Sequence, residues 1–408
     1  MMSDGERKVL QVKTGSQVTG ELGRRDREPG SYFKYANGLN DDSAVSLTMG
    51  VTPDPYIWED GLHPIFDMNL PEGELRAELT RRFSKAVPGF DDFDLLHIVG
   101  PHQLGRVSVS GHSEGDAPTV NLRELATYQG AEDLAAHLVS EYAQYSGVSG
   151  VQPKVLVRDE AVPDRVTHRG ATHIVKAWNK NQYPELAANE FFCMTAAKAA
   201  GLPVPGFTLS DNGQLLIIER FDLDGDEYLG FEDFCVLSGW ASRQKYDGTY
   251  EGCAKIIKAF VSEEHIASAL KQHFMCIALS CGVRNGDHHL KNLGVLYRNP
   301  GENEQVDLAP VYDIVSTAPY IKNDTLALLL NGSKRWPKAE QLAGFGRQHC
   351  GLSSSSVREC MEQVADAISD TRLSLAEYSS ESPGFSQTVA EPILDSWELG
   401  LSTSLIHE

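Results

Sequence analysis

The stretch Asn285-Gly286-Asp287-His288-His289-Leu290-Lys291-Asn292 sets an acid and an amide five positions apart, and Tyr312-Asp313 follows twenty residues later. Asp287 could accept the proton of a hydroxyl substrate. Asn292 and Asp313 offer the oxygen ligands that magnesium prefers. Asp, Asn and Gly also form ordinary turns, which is the alternative interpretation of this stretch. The second acid downstream favours a site for phosphoryl transfer.

The same stretch, the catalytic segment (residues 285–292), holds two histidines and a lysine between its acid and its amide. Lys291 could stabilise a transferring phosphoryl group. Adjacent side chains rarely reach the same metal ion, which argues against a metal site at His288 and His289. The chain also has no His-Glu-x-x-His motif. We predict that His289 is a structural loop residue, that His288 is exposed, and that His273 lies in the core.

Composition and charge limit the class of protein. Of the 408 residues, 41% are hydrophobic and 23% are charged, as in soluble globular proteins, and the length suffices for two or three cores. No apolar run reaches the roughly eighteen residues of a membrane helix, and the first residues lack the apolar stretch of a signal peptide. We therefore expect a cytoplasmic protein without membrane contact. The net charge of −21 argues against direct binding of nucleic acid.

Seven cysteines are scattered along the chain without a Cys-x2-Cys pair. An odd number at such spacing predicts reduced thiols and neither a disulfide framework nor a zinc site. Cys193 and Cys276 lie in apolar helical patterns, so we predict that they pack in the core.

The residue pattern changes along the chain from strand-like to helical. It predicts a short β-meander over residues 9–35 and a helix over residues 72–87. Further strands are predicted at residues 155–157, 172–176 and 215–218, and further helices at residues 185–200, 266–282, 358–375 and 391–406. From about residue 232 onward the pattern is helical. The prediction is therefore an α+β fold, with the catalytic segment at the junction of a β-rich lobe and an α-rich lobe.

A polar, glycine-containing piece, Gly111–Asp116, has the composition of a linker. It places the first domain boundary. Three domains are expected, namely a β-rich domain over residues 1–110, a lobe with a phosphate-binding loop over residues 111–230, and a mostly α-helical lobe over residues 231–408.

The phosphate loop (residues 146–154) has the sequence Ser146-Gly147-Val148-Ser149-Gly150-Val151-Gln152-Pro153-Lys154 and precedes a predicted strand. Its glycines would let backbone N–H groups approach phosphate oxygens, and Lys154 could add a positive charge. The loop matches neither the Walker pattern nor Gly-x-Gly-x-x-Gly. A plain surface turn explains it equally well.

Two charged residues upstream of the catalytic segment complete the pattern. Lys176 ends an alternating strand, and a kinase uses a lysine on such a strand to hold the α- and β-phosphates of ATP. A solvated lysine at the end of a strand is the alternative. Glu190 lies on the apolar face of its helix, and a buried carboxylate needs a cationic partner. We therefore predict a pair of Lys176 with Glu190. Glu185 is a weaker candidate for the pair, and a solvent-exposed Glu190 is the alternative.

Glu219-Arg220-Phe221-Asp222 follows an apolar strand at the position where a hinge between lobes would lie. The backbone of a hinge can bond the edge of adenine, and Phe221 offers an apolar face to the base. A strand end with an ordinary salt bridge is the alternative interpretation.

Together these pieces resemble the HipA family of bacterial serine/threonine kinases. The matching pieces are Ser149–Lys154, His173–Lys176, Asn189-Glu190, Glu219–Asp222, Asp287-x-His289-x-Lys291-Asn292 and Tyr312-Asp313. Further cues are Gly20–Leu22, Phe33–Tyr35, Leu70–Gly73 with Leu75-Arg76, and Phe93–Leu96 before Val99-Gly100. The resemblance covers roughly residues 9 to 375, and the order and spacing of so many pieces make it specific.

The resemblance implies a bilobal protein-kinase-like fold and an ATP- and magnesium-dependent serine/threonine kinase that acts as the toxin of a toxin–antitoxin pair. It implies a small DNA-binding antitoxin, HipB-like, as partner, so that DNA is contacted only through that partner. It also implies an aminoacyl-tRNA synthetase as substrate and autophosphorylation of Ser149, with Ser146 as a second candidate. About two added negative charges at Ser149 would repel the nucleotide and release the loop.

The resemblance also implies a set of ATP contacts. They are Val151, Gln152, Pro153, Lys154, Val155, Leu156, Lys176, Glu219, Arg220, Phe221, His289, Leu290, Asn292, Tyr312 and Asp313. Asn292 and Asp313 would hold magnesium, whereas Asp287 and Lys291 would be catalytic. His288 departs from relatives that carry Gly or Ala after the acid, and its longer side chain could reshape substrate access.

Two other functions fit the same residues. A kinase for a small molecule or a lipid headgroup would need identical phosphate chemistry. A catalytically weak corepressor partner of a DNA-binding antitoxin would need none. The intact set of Lys176, Asp287, Asn292 and Asp313 argues against the corepressor.

Overall fold

The computed structural model describes residues 9–25, 29–87, 89–112, 116–128, 134–160, 170–178, 183–225, 227–301, 305–382, 385 and 389–406. The middle of the predicted linker, residues 113–115, lies outside these ranges.

The first domain (residues 9–112) is a sheet covered by short helices. Its elements are β1 (Val9–Thr14), β2 (Gln17–Arg24), β3 (Ser31–Tyr35), β4 (Tyr56–Trp58), α1 (Pro64–Asp67), α2 (Gly73–Phe83), α3 (Asp92–Val99) and β5 (Val107–Val109). The strands form one antiparallel sheet in the order β4-β3-β2-β1-β5. Leu10 and Val12 are buried because alternate side chains of a strand share a face. The predicted meander and helix are confirmed, although the helix ends at Phe83.

The β lobe (residues 116–228) carries a second five-stranded sheet. Its elements are β6 (Thr119–Val120), α4 (Leu122–Ala126), α5 (Leu134–Tyr142), β7 (Lys154–Asp159), β8 (His173–Lys176), α6 (Leu186–Ala199), β9 (Phe207–Leu209), β10 (Leu216–Glu219), β11 (Leu223–Asp224) and β12 (Glu227–Tyr228). The sheet order is β6-β7-β8-β10-β9, and β11 pairs with β12. Lys154 of β7 lies opposite Lys176 of β8 in the register. The sheet therefore brings two lysines to one end.

The α lobe (residues 229–406) contains a small sheet that the sequence pattern did not predict. Its elements are β13 (Gly230–Asp233), α7 (Phe234–Leu237), α8 (Tyr250–Phe260), α9 (Ile266–Val283), β14 (Gly294–Tyr297), β15 (Val306–Leu308), α10 (Ala339–Gln348), α11 (Ser354–Glu381) and α12 (Glu391–Gly400), followed by a π-helical turn, Leu401–Leu405. Strands β13, β14 and β15 pair in that order. Because β14 starts two residues after Asn292, its pairing with β13 fixes one end of the catalytic segment.

Helix α9 is the centre of the α lobe and packs against α6, α8, α11 and α12. With the turn before it, Glu263–Val283 is a span of 21 residues with mean hydropathy 1.3, long and apolar enough to cross a membrane by length and composition alone. This span contains no long uninterrupted apolar run, because polar residues such as Gln272 divide it. In the protein, 72% of the apolar window is buried, as in the core helix of a soluble protein.

The cysteines all lie inside the protein. All seven are buried and unpaired, so the prediction of free thiols is confirmed. Cys193 on α6 and Cys276 on α9 pack in the same hydrophobic core, as predicted. Burial raises the pKa of Cys276 to about 12, because a thiolate is poorly stabilised without water.

Candidate active site

A cleft of about 420 Å³ lies between the β lobe and the α lobe, and the first domain contributes Met68, Asn69 and Leu104 to its wall. The predicted site residues that line it are Ser149, Val151, Gln152, Lys154, Lys176, Phe221, Asp287, His289, Lys291, Asn292, Tyr312 and Asp313. The predicted residues outside its lining are Ser146, Pro153, Val155, Leu156, Glu219, Arg220 and Leu290. The side chains of Val155 and Leu156 enter separate hydrophobic clusters, because successive residues of β7 face opposite sides.

Lys176 is the centre of the charged end of the cleft. Its Nζ donates to Glu190 Oε1 at 2.6 Å and also contacts Asp313 Oδ1. The predicted pair of Lys176 with Glu190 is therefore present, and both side chains are at most 4% exposed. Burial lowers the pKa of Lys176 to about 8, against the opposing effect of Glu190.

Lys154 stands beside Lys176 on the neighbouring strand. Its Nζ lies 3.8 Å from Asp313 Oδ2, so one carboxylate is shared by two lysines. Burial also lowers the pKa of Lys154. On the side that faces the cleft, the two buried ammonium groups of Lys154 and Lys176 share the single carboxylate of Asp313. Such a site would favour an anionic ligand.

Asp313 adopts a left-handed backbone conformation, with φ of +54°. This conformation is unfavourable for a residue with a Cβ, and such residues concentrate at functional sites. About 30% of the side chain is exposed to the cleft. Asp313 therefore has a carboxylate that a cation could reach if the lysines turned to a ligand.

Hydrogen bonds hold the backbone of the catalytic segment at Gly286 and Asp287. Helix α9 ends where Arg284 takes a left-handed conformation, with φ of +57°. Gly286 N donates to Thr317 Oγ1 at 2.6 Å, and Asp287 N donates to Asn285 Oδ1 at 3.0 Å. These bonds turn the chain out of the helix and fix the backbone of Asp287.

The carboxylate of Asp287 opens toward the cleft, and its side chain is 44% exposed. Tyr246 Oη donates to Asp287 Oδ1 at 2.6 Å. Burial by the surrounding walls raises the pKa of Asp287, although the Tyr246 hydrogen bond and nearby lysines oppose the rise. A raised pKa makes this carboxylate a better proton acceptor than an ordinary aspartate.

Asn292 is oriented by the same segment. Its Nδ2 donates to Asp287 O at 2.8 Å, which leaves the carboxamide oxygen as the ligand atom. In the part of the chain that the structure describes, no group of three His, Cys, Asp or Glu residues could hold a metal by itself. Both Asn292 and Asp313 line the cleft, and their side chains offer oxygen donors of the kind that magnesium takes.

Lys291 lines the cleft, but its ammonium is occupied by the protein. Nζ donates to Met68 O at 2.6 Å and Ser242 Oγ at 3.1 Å, and it lies 3.4 Å from Asp233 Oδ2. An ammonium has three hydrogens, so these acceptors use its full capacity. The geometry gives Lys291 a positioning role and argues against the predicted contact with a phosphoryl group.

The histidines of the segment separate into two environments. His288 is only 2% exposed, so the prediction that it is exposed is wrong. Its ring turns onto α9, with Nδ1 3.2 Å from Ser280 Oγ, and it does not line the cleft, so it cannot reshape substrate access. His289 lines the cleft and meets the Tyr246 ring edge-to-face at 5.0 Å. His273 is buried with Nε2 3.1 Å from Tyr250 O, so its prediction as a core histidine is confirmed.

The two candidate serines differ in access. Ser146 is fully buried; its Oγ donates to Tyr142 O at 2.7 Å and accepts from Leu156 N at 2.9 Å. A phosphoryl group cannot reach it without loss of both bonds, which argues against Ser146 as an acceptor. Ser149 lines the cleft, and its Oγ donates to Glu72 Oε1 at 2.8 Å.

The predicted hinge is a structural joint with an aromatic face. Arg220 donates to Asp222 Oδ2 at 2.6 Å inside the protein, so the salt-bridge alternative describes these two residues. Phe221 faces the cleft and stacks on Tyr312 at 5.3 Å between ring centroids, with Phe231 beside them. This aromatic cluster forms an apolar wall of the cleft.

Three residues near Asp287 were missed by sequence reasoning. Tyr246 and Lys245 lie on a turn between α7 and α8 without a motif, and only their contacts reveal them. Glu72 stands in Leu70-Pro71-Glu72-Gly73, a piece of the family resemblance to which no role had been attached. It bonds both Ser149 and Lys245.

Two family models match the chain. The HipA N-terminal domain matches residues 10–110, and the HipA-like C-terminal domain matches residues 146–372. The two matches follow each other in the order of the chain and together cover the first domain, the β lobe from residue 146 onward and most of the α lobe.

Two curated relatives are similar in sequence. A protein of Sinorhizobium fredii named "Putative kinase Y4dM" is 30% identical over an alignment of 298 residues, and the match covers 67% of this chain and 66% of the relative. A second relative, from Haemophilus influenzae and named "Putative kinase", is 31% identical over an alignment of 227 residues, and the match covers 50% of this chain and 63% of the relative. The chain thus spans somewhat less than two thirds of the length of the curated relatives it matches.

A solved structure has the same fold. A chain from the complex of the Shewanella oneidensis MR-1 toxin–antitoxin system, with HipA, HipB and its operator DNA, superimposes with a TM-score of 0.67 at 19% identity. The superposition covers 97% of this chain and 98% of that chain. The predicted α+β fold with two kinase-like lobes behind a β-rich first domain is therefore confirmed.

Proposed function

The chain belongs to the HipA family, and on this premise we propose that it is an ATP- and magnesium-dependent kinase that phosphorylates serine or threonine in a protein. The observation that carries this proposal is the meeting of Lys176, Asp287, Asn292 and Asp313 around one cleft. The kinase names of the two curated relatives also support it.

The charged end of the cleft would bind the triphosphate. Lys176 and Lys154 would each turn an ammonium group toward phosphate oxygens, and Glu190 would keep Lys176 in place. Asn292 and Asp313 would hold magnesium, which neutralises phosphate charge when bound. The aromatic cluster of Phe221, Phe231 and Tyr312 would receive the base.

Asp287 would act on the acceptor. The hydroxyl oxygen of the substrate would form a new bond to the terminal phosphorus of ATP as the bond from that phosphorus to the bridging oxygen breaks. ADP leaves with the bridging oxygen, and the hydroxyl proton moves to the carboxylate of Asp287. The raised pKa of Asp287, caused by burial, supports this role.

We further propose the partners and the setting that go with this chemistry. The similar solved chain comes from a complex with HipB and operator DNA, which supports a HipB-like antitoxin as partner and DNA contact through that partner alone. The net charge of −21 agrees with indirect DNA contact. A toxin role in the cytoplasm, an aminoacyl-tRNA synthetase as substrate, and autophosphorylation of Ser149 belong to the same proposal.

The test is transfer of labelled terminal phosphate from ATP with magnesium, first to the chain itself and then to proteins of a cell extract. Asp287→Asn should lower transfer by roughly 10³-fold. Asp366→Asn, which changes an exposed acid of α11, serves as the matched control and should leave transfer unchanged. Equal rates for Asp287→Asn and the wild type would overturn the proposal. Release of ADP without labelled protein would instead favour a small-molecule or lipid kinase.

A further inference from the structure

The first domain shapes the phosphate loop at two backbone positions. Gly147 N donates to His102 O at 2.8 Å. Gly73 has φ of +52°, and a Cβ at this position would collide with Val151 O. The loop that faces the cleft is therefore packed directly against the start of α2 in the first domain.

A third contact is made by the side chain of Glu72. Glu72 occupies the N-cap position of α2, yet its side chain does not cap the helix. Its Oε1 accepts from Ser149 Oγ at 2.8 Å, and its Oε2 accepts from Lys245 Nζ at 2.9 Å. Burial opposes ionisation, but the charges of Lys245 and Lys291 and the bond from Ser149 outweigh it and lower the pKa of Glu72. The carboxylate is thus a charged bridge between the loop and the α lobe.

The turn that carries Lys245 continues to the catalytic segment. Lys245 O accepts from Leu290 N at 3.1 Å, and the next residue, Tyr246, donates to Asp287 Oδ1 at 2.6 Å. Glu72 of the first domain is therefore linked through Lys245 and Tyr246 to Asp287, the carboxylate that would take the substrate proton. Glu72 also contacts the phosphate loop directly, at Ser149.

We propose that Glu72 is the positioning residue through which the first domain holds the phosphate loop against the catalytic segment, and that the same carboxylate expels the loop when position 149 becomes anionic. The part that concerns nucleotide rests on the proposed function. The part that concerns the loop depends only on the contacts of Glu72.

The expulsion follows from hydrogen-bond chemistry. Ser149 now donates a proton to Glu72, and an anionic group at position 149 has no proton to donate. Two anions would then face each other at hydrogen-bond distance, with Lys245 already paired to one of them. With glutamine at position 72, Lys245 would be available to the anion, and the loop could stay in place.

The loop is tested by amide hydrogen exchange of residues 146–154 in the full chain without nucleotide. Glu72→Ala should raise exchange by about tenfold, whereas Glu72→Gln keeps an acceptor for Ser149 and should raise it less than about threefold. Glu21→Gln removes an exposed acid from β2 of the same domain and should change nothing. Unchanged exchange in Glu72→Ala would overturn the positioning role.

The expulsion is tested with Ser149→Asp in two backgrounds. In the wild type this change should raise loop exchange and weaken binding of ADP with magnesium, each by about tenfold. In Glu72→Gln both effects should fall below about threefold. Equal effects in both backgrounds would overturn the expulsion. A wild type that binds no ADP but shows the expected exchange pattern would overturn the proposed function and leave the role of Glu72 intact.

Discussion

The two walls of the cleft differ in how their charged groups are partnered. On the strand wall, Lys154 and Lys176 share the partly exposed carboxylate of Asp313. On the opposite wall, the polar groups of the catalytic segment already have protein partners, since Asn292 bonds Asp287 O and Lys291 contacts three oxygens of other segments. The difference separates a wall whose charges can be redirected to a ligand from a wall whose geometry is fixed before a ligand arrives.

Lys176 and Lys291 express this difference most clearly. Both are buried lysines that line the cleft and contact a carboxylate. Lys176 faces Asp313, which a ligand cation could take over, whereas Lys291 reaches back to Met68 of the first domain. Residue type and burial alone therefore do not distinguish a ligand-binding lysine from a structural one; the identity of the acceptors does.

The largest expected effect is on the strand wall. Asp313→Asn removes the carboxylate that faces both lysines and should lower phosphoryl transfer by roughly 10³-fold. Lys176 keeps Glu190, whereas Lys154 loses a partly exposed carboxylate 3.8 Å away, so the free energy of unfolding should fall by about 1 kcal/mol. Transfer assays and urea titration measure the two quantities. A transfer rate within threefold of the wild type would remove the distinction between the walls.

Lys291→Met tests the opposite wall. Asp233 is buried, and without the ammonium it would lack its cationic partner, so the free energy of unfolding should fall by about 3 kcal/mol. Urea titration measures the loss. The double change Lys291→Met with Asp233→Asn should recover part of it. A variant as stable as the wild type but devoid of transfer would show that Lys291 serves the phosphoryl group after all.

An acid titration sharpens the comparison further, because burial depresses the pKa of His273 to about 4 and of His288 to about 3. Above about pH 6.5 both histidines are neutral in the folded and in the unfolded chain. Below that pH the histidines of the unfolded chain bind protons, whereas those of the folded chain stay neutral. Stability should therefore fall as pH decreases from about 6.5 toward the folded-state pKa, by about 1.4 kcal/mol per pH unit and histidine.

The variant His288→Gln should show a shallower decline in urea titrations across this pH range. His137→Gln changes a histidine on the exposed face of α5 and should follow the wild type. Parallel curves for His288→Gln and the wild type would contradict the contribution of His288 to the loss of stability in acid.

The smallest effect is expected for Tyr246→Phe. The change removes one hydrogen bond from Asp287, so transfer should change by roughly fivefold. Because this bond lowers the pKa of Asp287, its removal should shift the acid limb of the pH–rate profile to higher pH, where the base becomes protonated. A shift to lower pH would show that Tyr246 acts on Asp287 in another way.

Sequence patterns located what is local. Patterns within short stretches of sequence predict the apolar face of α9 and the strands of the β lobe around Lys176. The spacing of Asp287 and Asn292 is likewise contained in one short stretch. Glu190 was identified as the partner of Lys176, fourteen residues away, because a carboxylate on an apolar helix face needs a cation.

The rest depends on contacts between distant segments. Strand β14 exists because it pairs with β13, and neither has a strong pattern of its own. Lys291 finds Met68 O across 223 positions, and Glu72 finds Ser149 and Lys245 across 77 and 173 positions. His288 is buried because the catalytic segment folds back on α9. No local signal encodes any of these contacts.

The seven buried cysteines can report which parts of the folded chain open to solvent. Alkylating reagents attack the thiolate, and burial both hides these thiols and raises the pKa of residues such as Cys276. In the native chain, iodoacetamide should modify a given cysteine only when the surrounding helices part. Mass spectrometry of the order in which the seven sites are labelled would then map which helices of the α lobe separate first.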